Sequence, residues 1–390
     1  MFVDLTPEQH RLRQQVRDYF QALMTPQLRE QLRGQEGGEL FRQTVRQMGR
    51  DGWLAVGWPK VHGGQGYAAT EQLIFFEEAN IAGAPLPFVT ISTVGPALIA
   101  HGSAAQKERF LPGIAAGEIM FAIGYSEPGA GSDLAVLKTT ARPEADHFVV
   151  NGNKLFTSGA ESADYIWLAA RTDPTQARHK GVSILILDTQ LPGFSTTLIP
   201  TTSNPTSATY YDNVHVPRDM LVGELHGGWK LITAQLNHER LGLGSWSDKI
   251  AGLFRRVYLW ARSRDEQGRR AMDKTWVRTS LAECYARLEA MRLINFRIAA
   301  DLEHERMDVA LASTTKVYGS ESAIEILRRL AAIVGANGAL RSGSAAALLH
   351  GDLEYEVRAS VTVTFGGGTN EIQRELIAQF GLGMPRPQRL

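Results

Sequence analysis

The spacing of apolar residues changes twice along this chain, and that change limits its fold more than any other feature. Up to about Met120 the apolar residues recur at helical intervals, with breaks at Gly/Pro loops. From about Phe121 they form short strand-like runs, and after Gly227-Gly228 the helical interval returns. A parallel Rossmann-type sheet needs crossover helices, and none fit between these runs. The order helix, strand, helix therefore predicts an α+β protein with an antiparallel barrel or sandwich in the middle.

Local signals support this order of elements. The segment Thr6–Gln9 has the pattern of a capping box with proline at the first helical position, and it predicts a helix to about Leu23. Asn151-Gly152, between two apolar runs, predicts a type I′ turn and therefore a hairpin. Gly335 is the expected C-cap of a later helix. The buried stripe predicted on that helix consists of Val317, Ile324, Leu327, Ala331 and Val334.

The composition argues against several classes of protein. The 390 residues include 41 basic and 41 acidic side chains, and neither a basic stripe for nucleic acid nor a polybasic run for a membrane surface is present. No apolar run approaches the ~18–20 residues that span a bilayer. The single cysteine, Cys284, cannot form an internal disulfide, which suits a reducing compartment. Since the start leads into a helix rather than a signal peptide, we expect a soluble cytoplasmic protein without nucleic-acid or membrane partners.

A glycine-rich segment, Ile123–Asp133, carries the strongest chemical signal. It reads Ile-Gly-Tyr-Ser-Glu-Pro-Gly-Ala-Gly-Ser-Asp, so that glycines and hydroxyl side chains follow a short apolar run. Glycine lets the backbone approach a ligand closely, and exposed N–H groups with hydroxyls suit a phosphate or the polar edge of a ring. The segment is either such a binding loop or an ordinary glycine-rich turn.

A carboxylate interrupts the apolar face of the helix that is predicted to begin near Trp229. The residues at helical intervals on this face are Trp229, Ile232, Leu236, Glu239 and Leu243. Glu239 is either a buried carboxylate satisfied by an arginine from another helix, or a desolvated base whose pKa lies above the reference value of ~4.3. The pattern alone leaves both interpretations open.

A second glycine-rich segment, Gly366–Asn370, lies before a helical stretch that starts near Glu371. It is either a flexible joint or a helix N-terminus whose free N–H groups meet an anion or a carbonyl oxygen. The ten histidines are scattered, without metal-ligand spacing or a cysteine partner. We therefore expect no zinc or iron site.

Taken together, these features resemble the acyl-CoA dehydrogenase family over nearly the whole chain. The matching segments are the Pro59–Gly66 loop, His101–Pro112 before the β-region, Ser126–Asp133 as the flavin signature, and Gly366–Arg374 as the C-terminal motif. Within the family, the nearest likeness is to subunits that dehydrogenate CoA-activated steroid side chains in bacterial sterol and bile-acid breakdown. Those subunits have openings similar to Met1–Gln9 and a triple glycine similar to Gly366–Gly368.

The resemblance implies the family's fold, cofactor and reaction. The fold comprises an N-terminal α-helical domain (1–120), a middle antiparallel β-barrel domain (121–226) and a C-terminal four-helix bundle (227–390). The resemblance also implies FAD as cofactor, electron-transfer flavoprotein as acceptor, and α,β-dehydrogenation of an acyl-CoA thioester. Family enzymes carry their catalytic glutamate at one of two places, and the commoner place is Gly367 here. The other place, directly before an arginine, selects Glu239 as the base and puts Arg240 beside it.

Further residue roles follow from the same resemblance. Gly367 is expected to donate its backbone N–H to the developing enolate oxygen, and Arg240 to orient Glu239 or the thioester. The expected cofactor contacts are Ser126 and Ser158 at the flavin ring, Tyr125 through its backbone, Phe156 stacking where the family usually has Trp, Gly131 and Ser132 at the pyrophosphate, and Thr369 and Glu371 in the C-terminal motif.

Two departures from the family pattern concern the neighbouring subunit. The Arg-x-x-Phe-Gly motif is missing around Arg262–Arg278, and the Gln-Ile-x-Gly-Gly motif is replaced by the residues 332–336, Ala-Ile-Val-Gly-Ala. Both motifs reach a neighbour's flavin in the family, so this chain is poorly equipped to complete the site of an identical copy. The resemblance therefore implies a heterotetramer with a related acyl-CoA dehydrogenase subunit, with a homotetramer as the alternative.

The acyl group does not follow from the residues themselves. The steroid-type likeness favours a bulky steroid side-chain CoA ester, and Gly242 and Gly244 after the base either widen the cavity or ease helix packing. The alternatives are a short branched-chain or medium-chain acyl-CoA dehydrogenase, a flavin oxidase or monooxygenase with the same fold, and a non-catalytic partner subunit.

Overall fold

The computed structural model describes residues 4–233, 235, 246–304, 306 and 308–386. The chain forms two compact units. The helical unit comprises Met1–Gln31, Ala68–Ala84 and Arg240–Leu390, and the mixed unit comprises Leu32–Tyr67 and Pro85–Glu239. The first and last parts of the chain therefore share one unit, while the division into three domains at residues 120 and 226 stays a prediction.

Helices dominate both ends of the described chain. They are α1 (Pro7–Leu23), α2 (Pro26–Leu32), α3 (Glu39–Arg50), α4 (Ala69–Ala82), α5 (Gly95–His101), α6 (Ala104–Ala115), α7 (Trp246–Arg262), α8 (Thr275–Glu303), α9 (Val309–Val334), α10 (Asp352–Ala359) and α11 (Asn370–Leu376). Residues 228–233 are also helical, and short π-helical segments occupy Val89–Val94 and Ile377–Gly381. Within the described ranges, no helix has the length and apolar character needed to cross a membrane.

The N-terminal capping box forms as the sequence predicts. Oγ1 of Thr6 accepts a hydrogen bond from the backbone N–H of Gln9 at 3.2 Å, and Oε1 of Gln9 accepts one from the N–H of Thr6 at 3.1 Å. This reciprocal pair satisfies N–H groups that a helix leaves unpaired at its start. The helix α1 then runs to Leu23, the predicted end.

The core of the helical unit lies where α7, α8 and α9 meet. Its buried members include Ile250, Leu253, Val257, Leu281, Cys284, Ile326, Leu327 and Leu330. Of the stripe predicted on α9, Leu327 and Val334 are buried and the other three members are half-buried. The buried face of α9 is wider than one stripe because this helix packs against both α7 and α8. Gly335, with a φ of 73°, ends the helix as predicted.

The strands of the mixed unit form one sheet. They are β1 (Phe121–Gly124), β2 (Thr140–Pro143), β3 (His147–Lys154), β4 (Tyr165–Arg171), β5 (Val182–Asp188), β6 (Phe194–Ile199), β7 (Thr206–Pro217) and β8 (Leu221–Val222). Their hydrogen-bonded order is β6-β7-β3-β2-β4-β5-β8, with β1 beside β4. Strands β4 and β5 are buried along nearly their whole length, and they form the core of this unit.

The sheet is mixed, which corrects the expectation of a purely antiparallel arrangement. Strand β1 runs parallel to β4, with Phe121 opposite Tyr165, and β2 also meets β4 in parallel, with Thr140 opposite Arg171. The other described ladders are antiparallel. Residues 125–164 connect β1 to β4 and reverse direction through β2 and β3, so that the chain returns beside β1 in the same direction. A long crossover of this kind permits a parallel pair without a helix.

The type I′ turn predicted at Asn151-Gly152 is wrong, since both residues lie inside β3. The register with β7 shifts between Val150 and Gly152, and Gly152 has a φ of 141°. A Cβ on Gly152 would lie 2.7 Å from Oγ1 of Thr139, so glycine permits this close approach. An Asn-Gly pair gives the same local signal in a bulged strand as in a hairpin turn, which explains the error.

Candidate active site

A buried hydrogen-bond network holds the loop that follows β1. The phenol of Tyr125 donates to Oε1 of Gln235 at 2.5 Å, and the indole N–H of Trp167 lies 3.1 Å from both of these oxygen atoms. All three side chains are buried. Nε2 of Gln235 is buried as well, and it has no hydrogen-bond partner within the described part of the chain. Tyr125, predicted to contribute its backbone, therefore also anchors this loop through its side chain.

A buried ion pair lies under the same loop. Nζ of the fully buried Lys154 donates to Oε1 of Glu127 at 2.8 Å and to the carbonyl oxygen of Tyr125 at 2.9 Å. Glu127 also accepts the backbone N–H groups of Lys138 and Thr139, at 2.6 and 2.9 Å. Burial lowers the pKa of Lys154 to about 8 against the opposing charge of Glu127. Burial would raise the pKa of Glu127, but the Lys154 charge and these hydrogen bonds together hold it below its usual value.

Three residues predicted to contact a flavin ring lie on two loops that are joined by hydrogen bonds. The N–H of Leu155 donates to the carbonyl oxygen of Ser126 at 2.8 Å, which fixes the loop after β3 against the loop after β1. Oγ of Ser158 lies 3.0 Å from Oγ1 of Thr206. Phe156 is 66% exposed and has a φ of 62°. A bulky residue rarely adopts this left-handed conformation, and such strain marks a candidate functional position.

The rim of these two loops is open to a ligand. Gly131 and Ser132 are exposed, and a Cβ on Gly131 would meet no atom within 4 Å. The neighbouring Asp133 pairs with Arg178 at 2.6 Å, which steadies the end of the loop. The two joined loops thus carry an exposed aromatic ring, hydroxyl groups and an unobstructed glycine backbone, a set that fits a planar ring with polar edges and an attached phosphate, as in a flavin dinucleotide. The residues present therefore fit FAD.

A cavity of about 560 Å³ in the mixed unit has a basic wall. The wall contains Lys180, Lys230, two histidines and the indole of Trp229, together with the carboxylate of Asp173. Nearby, the Arg171 guanidinium donates to backbone carbonyl oxygens within the described structure. Its positive charge is therefore satisfied by dipoles rather than by a described carboxylate. The excess of positive charge suits an anionic ligand.

The three glycines of the helical unit form a turn that leads into α11. Gly367 and Gly368 have φ values of 68° and 95°, a region that favours glycine. Oγ1 of Thr369 accepts the N–H of Ile372 at 3.3 Å and caps α11, while Glu371 is exposed in the first turn. The predicted helix start after this segment is confirmed. The binding roles of Gly367, Thr369 and Glu371 stay predictions.

The predicted base, Glu239, and its neighbour Arg240 lie outside the described residues, as do Gly242 and Gly244. Their roles stay predictions, and Gln235 is the described residue that comes before them along the chain. Across the described ranges, no group of three or more His, Cys, Asp or Glu side chains is arranged to hold a metal ion.

Sequence reasoning missed three buried polar residues that hold these segments: Lys154, Gln235 and Lys316. Lys154 lies on the buried face at the end of a strand, and Lys316 lies among small and hydroxyl residues in a long helix. A lone cation or amide within an apolar pattern is a usable signal, because such groups are rarely buried without a partner. Their partners are distant in sequence, so the pattern does not reveal what they contact.

Comparison with known proteins identifies the family. Residues 6–118, 122–214 and 226–382 match the family models described as the N-terminal, middle and C-terminal domains of acyl-CoA dehydrogenase. The protein therefore belongs to the acyl-CoA dehydrogenase family of FAD-dependent oxidoreductases, and the resemblance seen in the sequence is confirmed. The fold, with helical regions before and after a β-region, is the fold of this family.

Several proteins are similar to this chain over nearly its whole length. The chain is 49% identical to acyl-CoA dehydrogenase FadE26 and 47% identical to FadE29, both from Mycobacterium tuberculosis, with each alignment covering 100% of both chains. A solved steroid ACAD, Tcur3481-Tcur3483, has a TM-score of 0.95 at 47% identity, covering 99% of this chain and 100% of that one. The ChsE4-ChsE5 complex from Mycobacterium tuberculosis has a TM-score of 0.92 at 49% identity, covering 99% and 100%.

Proposed function

We propose that this acyl-CoA dehydrogenase acts on a CoA thioester whose acyl group is a bulky steroid side chain. The family establishes the reaction class, acyl-CoA dehydrogenation, and the proposal adds the identity of the acyl group. The observation that supports it is the 47% identity, over nearly the full length of both chains, to a solved protein described as a steroid ACAD. Enzymes of one family differ in acyl group more readily than in reaction, so this step needs its own test.

The reaction requires a base for the α-proton, donors for the thioester oxygen and an acceptor for the β-hydride. FAD supplies that acceptor when bound. Glu239 is the proposed base, since a desolvated carboxylate binds a proton more strongly than an exposed one. The backbone N–H of Gly367 donates to the thioester oxygen as negative charge develops there. Arg240 orients Glu239 or the thioester.

The cofactor-binding residues belong to the same proposal. Phe156 supports these assignments. Its backbone is held in a strained left-handed conformation, and its exposed ring is available to cover a flat ligand. The proposed contacts are Ser126, Ser158 and the Tyr125 backbone at the flavin ring, Gly131 and Ser132 at the pyrophosphate, and Thr369 and Glu371 at the start of α11.

The basic cavity suits the nucleotide end of the substrate. CoA carries several phosphate charges, and the ammonium groups of Lys180 and Lys230 can each meet one of them as a mobile point charge. Trp229 offers an aromatic face to the adenine ring. This combination of cations and an indole supports a role for the cavity in binding CoA.

The acyl group is tested by comparing CoA esters on the flavin-loaded protein, purified together with its partner subunit. A steroid side-chain ester is compared with straight-chain and short branched-chain esters in anaerobic assays with an electron-accepting dye. We expect kcat/KM for the steroid ester to exceed the others by at least about tenfold, which is about 1.4 kcal/mol of transition-state binding. A preference for a straight-chain or branched short-chain ester would refute the steroid assignment. Peroxide formation in air would indicate an oxidase, and a colourless inactive complex a non-catalytic subunit.

The base is tested with Glu239→Gln. We expect this variant to keep its fold and its FAD but to lose about 10²–10⁴-fold in kcat, because the amide cannot accept the α-proton. Absorbance of the bound flavin and the thermal midpoint serve as controls for loading and folding. A loss of only a few-fold would place the base elsewhere.

We also propose that the working assembly is a heterotetramer with a related acyl-CoA dehydrogenase subunit. Two observations support this: the missing neighbour-reaching motifs, and the two-chain names of the similar solved structures. The chain purified alone should hold substoichiometric FAD, and co-expression with a related subunit that carries both motifs should restore full occupancy. Full flavin occupancy in a homotetramer of this chain would refute the proposal.

Electron-transfer flavoprotein is the proposed electron acceptor, and the cytoplasm is the proposed location. The single buried cysteine supports the second point. Rapid reoxidation of the substrate-reduced protein by purified electron-transfer flavoprotein, followed by flavin absorbance, tests the first. Reoxidation no faster than that by buffer alone would exclude this acceptor.

A further inference from the structure

Lys316 is a buried cation in the first third of α9. Its Nζ donates to the carbonyl oxygen of Thr364 at 2.8 Å and to Oδ1 of Asn370 at 2.7 Å. These two acceptors stand directly before and after the turn of residues 365–369, which contains the three glycines. One ammonium group therefore joins the two ends of this turn.

Asn370 is fixed by further contacts to α9. Its Nδ2 donates to Oγ of Ser320 at 3.0 Å and to Oε1 of Glu321 at 3.1 Å. Arg374, one turn further along α11, donates to both oxygens of Glu321, at 2.7 and 2.9 Å. The acceptor that Lys316 uses is thus part of a frame between two helices rather than a mobile surface group.

The turn needs such a frame because glycine backbones have the largest conformational freedom of any residue. Gly367 and Gly368 already adopt positive φ angles, and a Cβ on Gly368 would lie 2.7 Å from Nε2 of Gln373. Bridging the two ends of a short segment removes most of its accessible conformations. Burial of Lys316 opposes its charge and lowers its pKa to about 8, against the attraction of Glu371 and Glu321. An apolar side chain at position 316 would avoid the free-energy cost of burying a charge, but it would not bridge the two ends of the turn.

We propose that Lys316 is a positioning residue for the reaction, because by bridging the turn it holds the N–H of Gly367 in the orientation that donates to the thioester oxygen. The proposal rests on the proposed function, which gives Gly367 that role. Lys316 itself contacts neither substrate nor cofactor in this scheme. It acts through backbone geometry, and a displacement of about 1 Å at such a donor is enough to cost about 10²-fold in rate.

The test compares Lys316→Met with wild type in two reactions of the flavin-loaded protein. The first is exchange of the substrate α-proton with solvent deuterium, measured by mass spectrometry per bound flavin, and the second is turnover. We expect exchange and kcat to fall by about 10–100-fold, with KM within about threefold of wild type. Both reactions are compared at saturating FAD, so that a change in FAD affinity through Thr369 or Glu371 does not enter the comparison. Lys249→Met is the matched control, since Lys249 pairs with Glu356 in the same unit, and it should exchange like wild type.

A second variant keeps the test decisive if Lys316→Met does not fold. Asn370→Ala removes one of the two acceptors of Lys316, and we expect a loss of about tenfold in exchange per bound flavin. If wild type and Lys249→Met exchange the α-proton but the Lys316 and Asn370 variants match them per flavin, the positioning role is refuted. If wild type itself neither exchanges nor oxidises acyl-CoA esters, the proposed function fails instead.

Discussion

The phenol of Tyr125 donates to Oε1 of Gln235 at 2.5 Å, and this hydrogen bond ties the glycine-rich loop after β1 to the segment that leads toward Glu239. Gln235→Leu removes the acceptor that Tyr125 shares with the Trp167 indole. Loss of a buried hydrogen-bond partner costs about 1–3 kcal/mol, so we expect a lower urea midpoint for unfolding of the mixed unit. Tryptophan fluorescence during a urea titration measures the change.

Tyr125→Phe is the matched control for that network, because it leaves the contact between Trp167 and Gln235 in place. The loss in free energy of unfolding caused by Tyr125→Phe should be smaller than that caused by Gln235→Leu. The double variant should lose less free energy of unfolding than the sum of the losses in the two single variants. For residues in direct contact we expect this difference, the coupling energy, to be at least ~0.5 kcal/mol. If the losses in free energy of unfolding are additive, the Tyr125 and Gln235 side chains are not energetically coupled.

Phe156 is both exposed and strained, so its substitution separates stability from cofactor binding. In Phe156→Gly, relief of about 1–3 kcal/mol of backbone strain should at least offset the ~1 kcal/mol entropic cost of glycine. We therefore expect no fall in the thermal midpoint of the flavin-free protein. Affinity for FAD, measured by titration, should fall about 3–10-fold because a stacked aromatic contact is worth about 0.5–1.5 kcal/mol. Phe156→Trp should keep the wild-type affinity, and equal FAD binding by all three proteins would contradict the stacking role.

We expect the two cavity lysines, Lys180 and Lys230, to contribute to the affinity for acyl-CoA in a salt-dependent way. Lys180→Ala and Lys230→Ala should each raise KM for acyl-CoA about two- to fivefold at low ionic strength, as expected for exposed charge pairs of about 0.5–1 kcal/mol. The effect should shrink with added salt, and kcat should not change. Lys60→Ala, at an exposed lysine of the same unit outside the cavity, should behave as wild type.

An acyl-pantetheine thioester, which lacks the nucleotide, provides the decisive comparison for these lysines. Its KM should be the same for wild type and for both cavity variants, because the charges that the lysines meet are absent. An equal rise of KM for acyl-CoA and for the pantetheine thioester would mean that the cavity does not bind the nucleotide end.

Those parts of the fold that depend on neighbouring residues follow directly from the sequence. The capping box at Thr6 and the helix end at Gly335 are correct because each is decided within a few residues. The order of helical and β-regions is also correct, since it rests on the hydrophobic period of whole segments. The family motifs give the reaction class, because they are short contiguous runs.

The features that could not be predicted from the sequence depend on contacts between residues that are distant along the chain. The bulge at Gly152 depends on the approach of Thr139, and the parallel pairing of β1 depends on where the chain returns after two reversals. Lys154 and Lys316 show the same limit at the candidate site. The sequence can mark each as a lone cation, but its partners become visible only when the fold brings the carbonyl of Tyr125 to Lys154 and that of Thr364 to Lys316.

The buried pair of Lys154 and Glu127 predicts a large stability effect. Lys154→Met leaves the Glu127 carboxylate buried without its cation, and breaking such a pair on one side costs about 3–5 kcal/mol. We expect a clearly lower urea midpoint at pH 7 and weaker FAD retention, because the carbonyl of Tyr125 also loses its donor. Lys154→Met/Glu127→Gln should recover part of the loss, since the amide is neutral and its single oxygen still accepts one of the two backbone N–H groups. A double variant less stable than Lys154→Met would contradict this account.

The same lysine predicts how the stability difference changes with pH. The pKa of Lys154 is about 8 in the folded protein, below the ordinary value of 10.5. Between these two values the unfolded chain binds a proton that the folded protein does not, so this group makes unfolding less favourable as the pH rises. The stability advantage of wild type over Lys154→Met should therefore grow as the pH rises from about 8 to about 10. Urea titrations of both proteins at several pH values measure it, and Lys316, unchanged in both, cancels from the comparison. An advantage that stays flat across this range would mean that Lys154 keeps an ordinary pKa in the folded protein, and one that shrinks would mean that its pKa is raised there; either result would contradict this account.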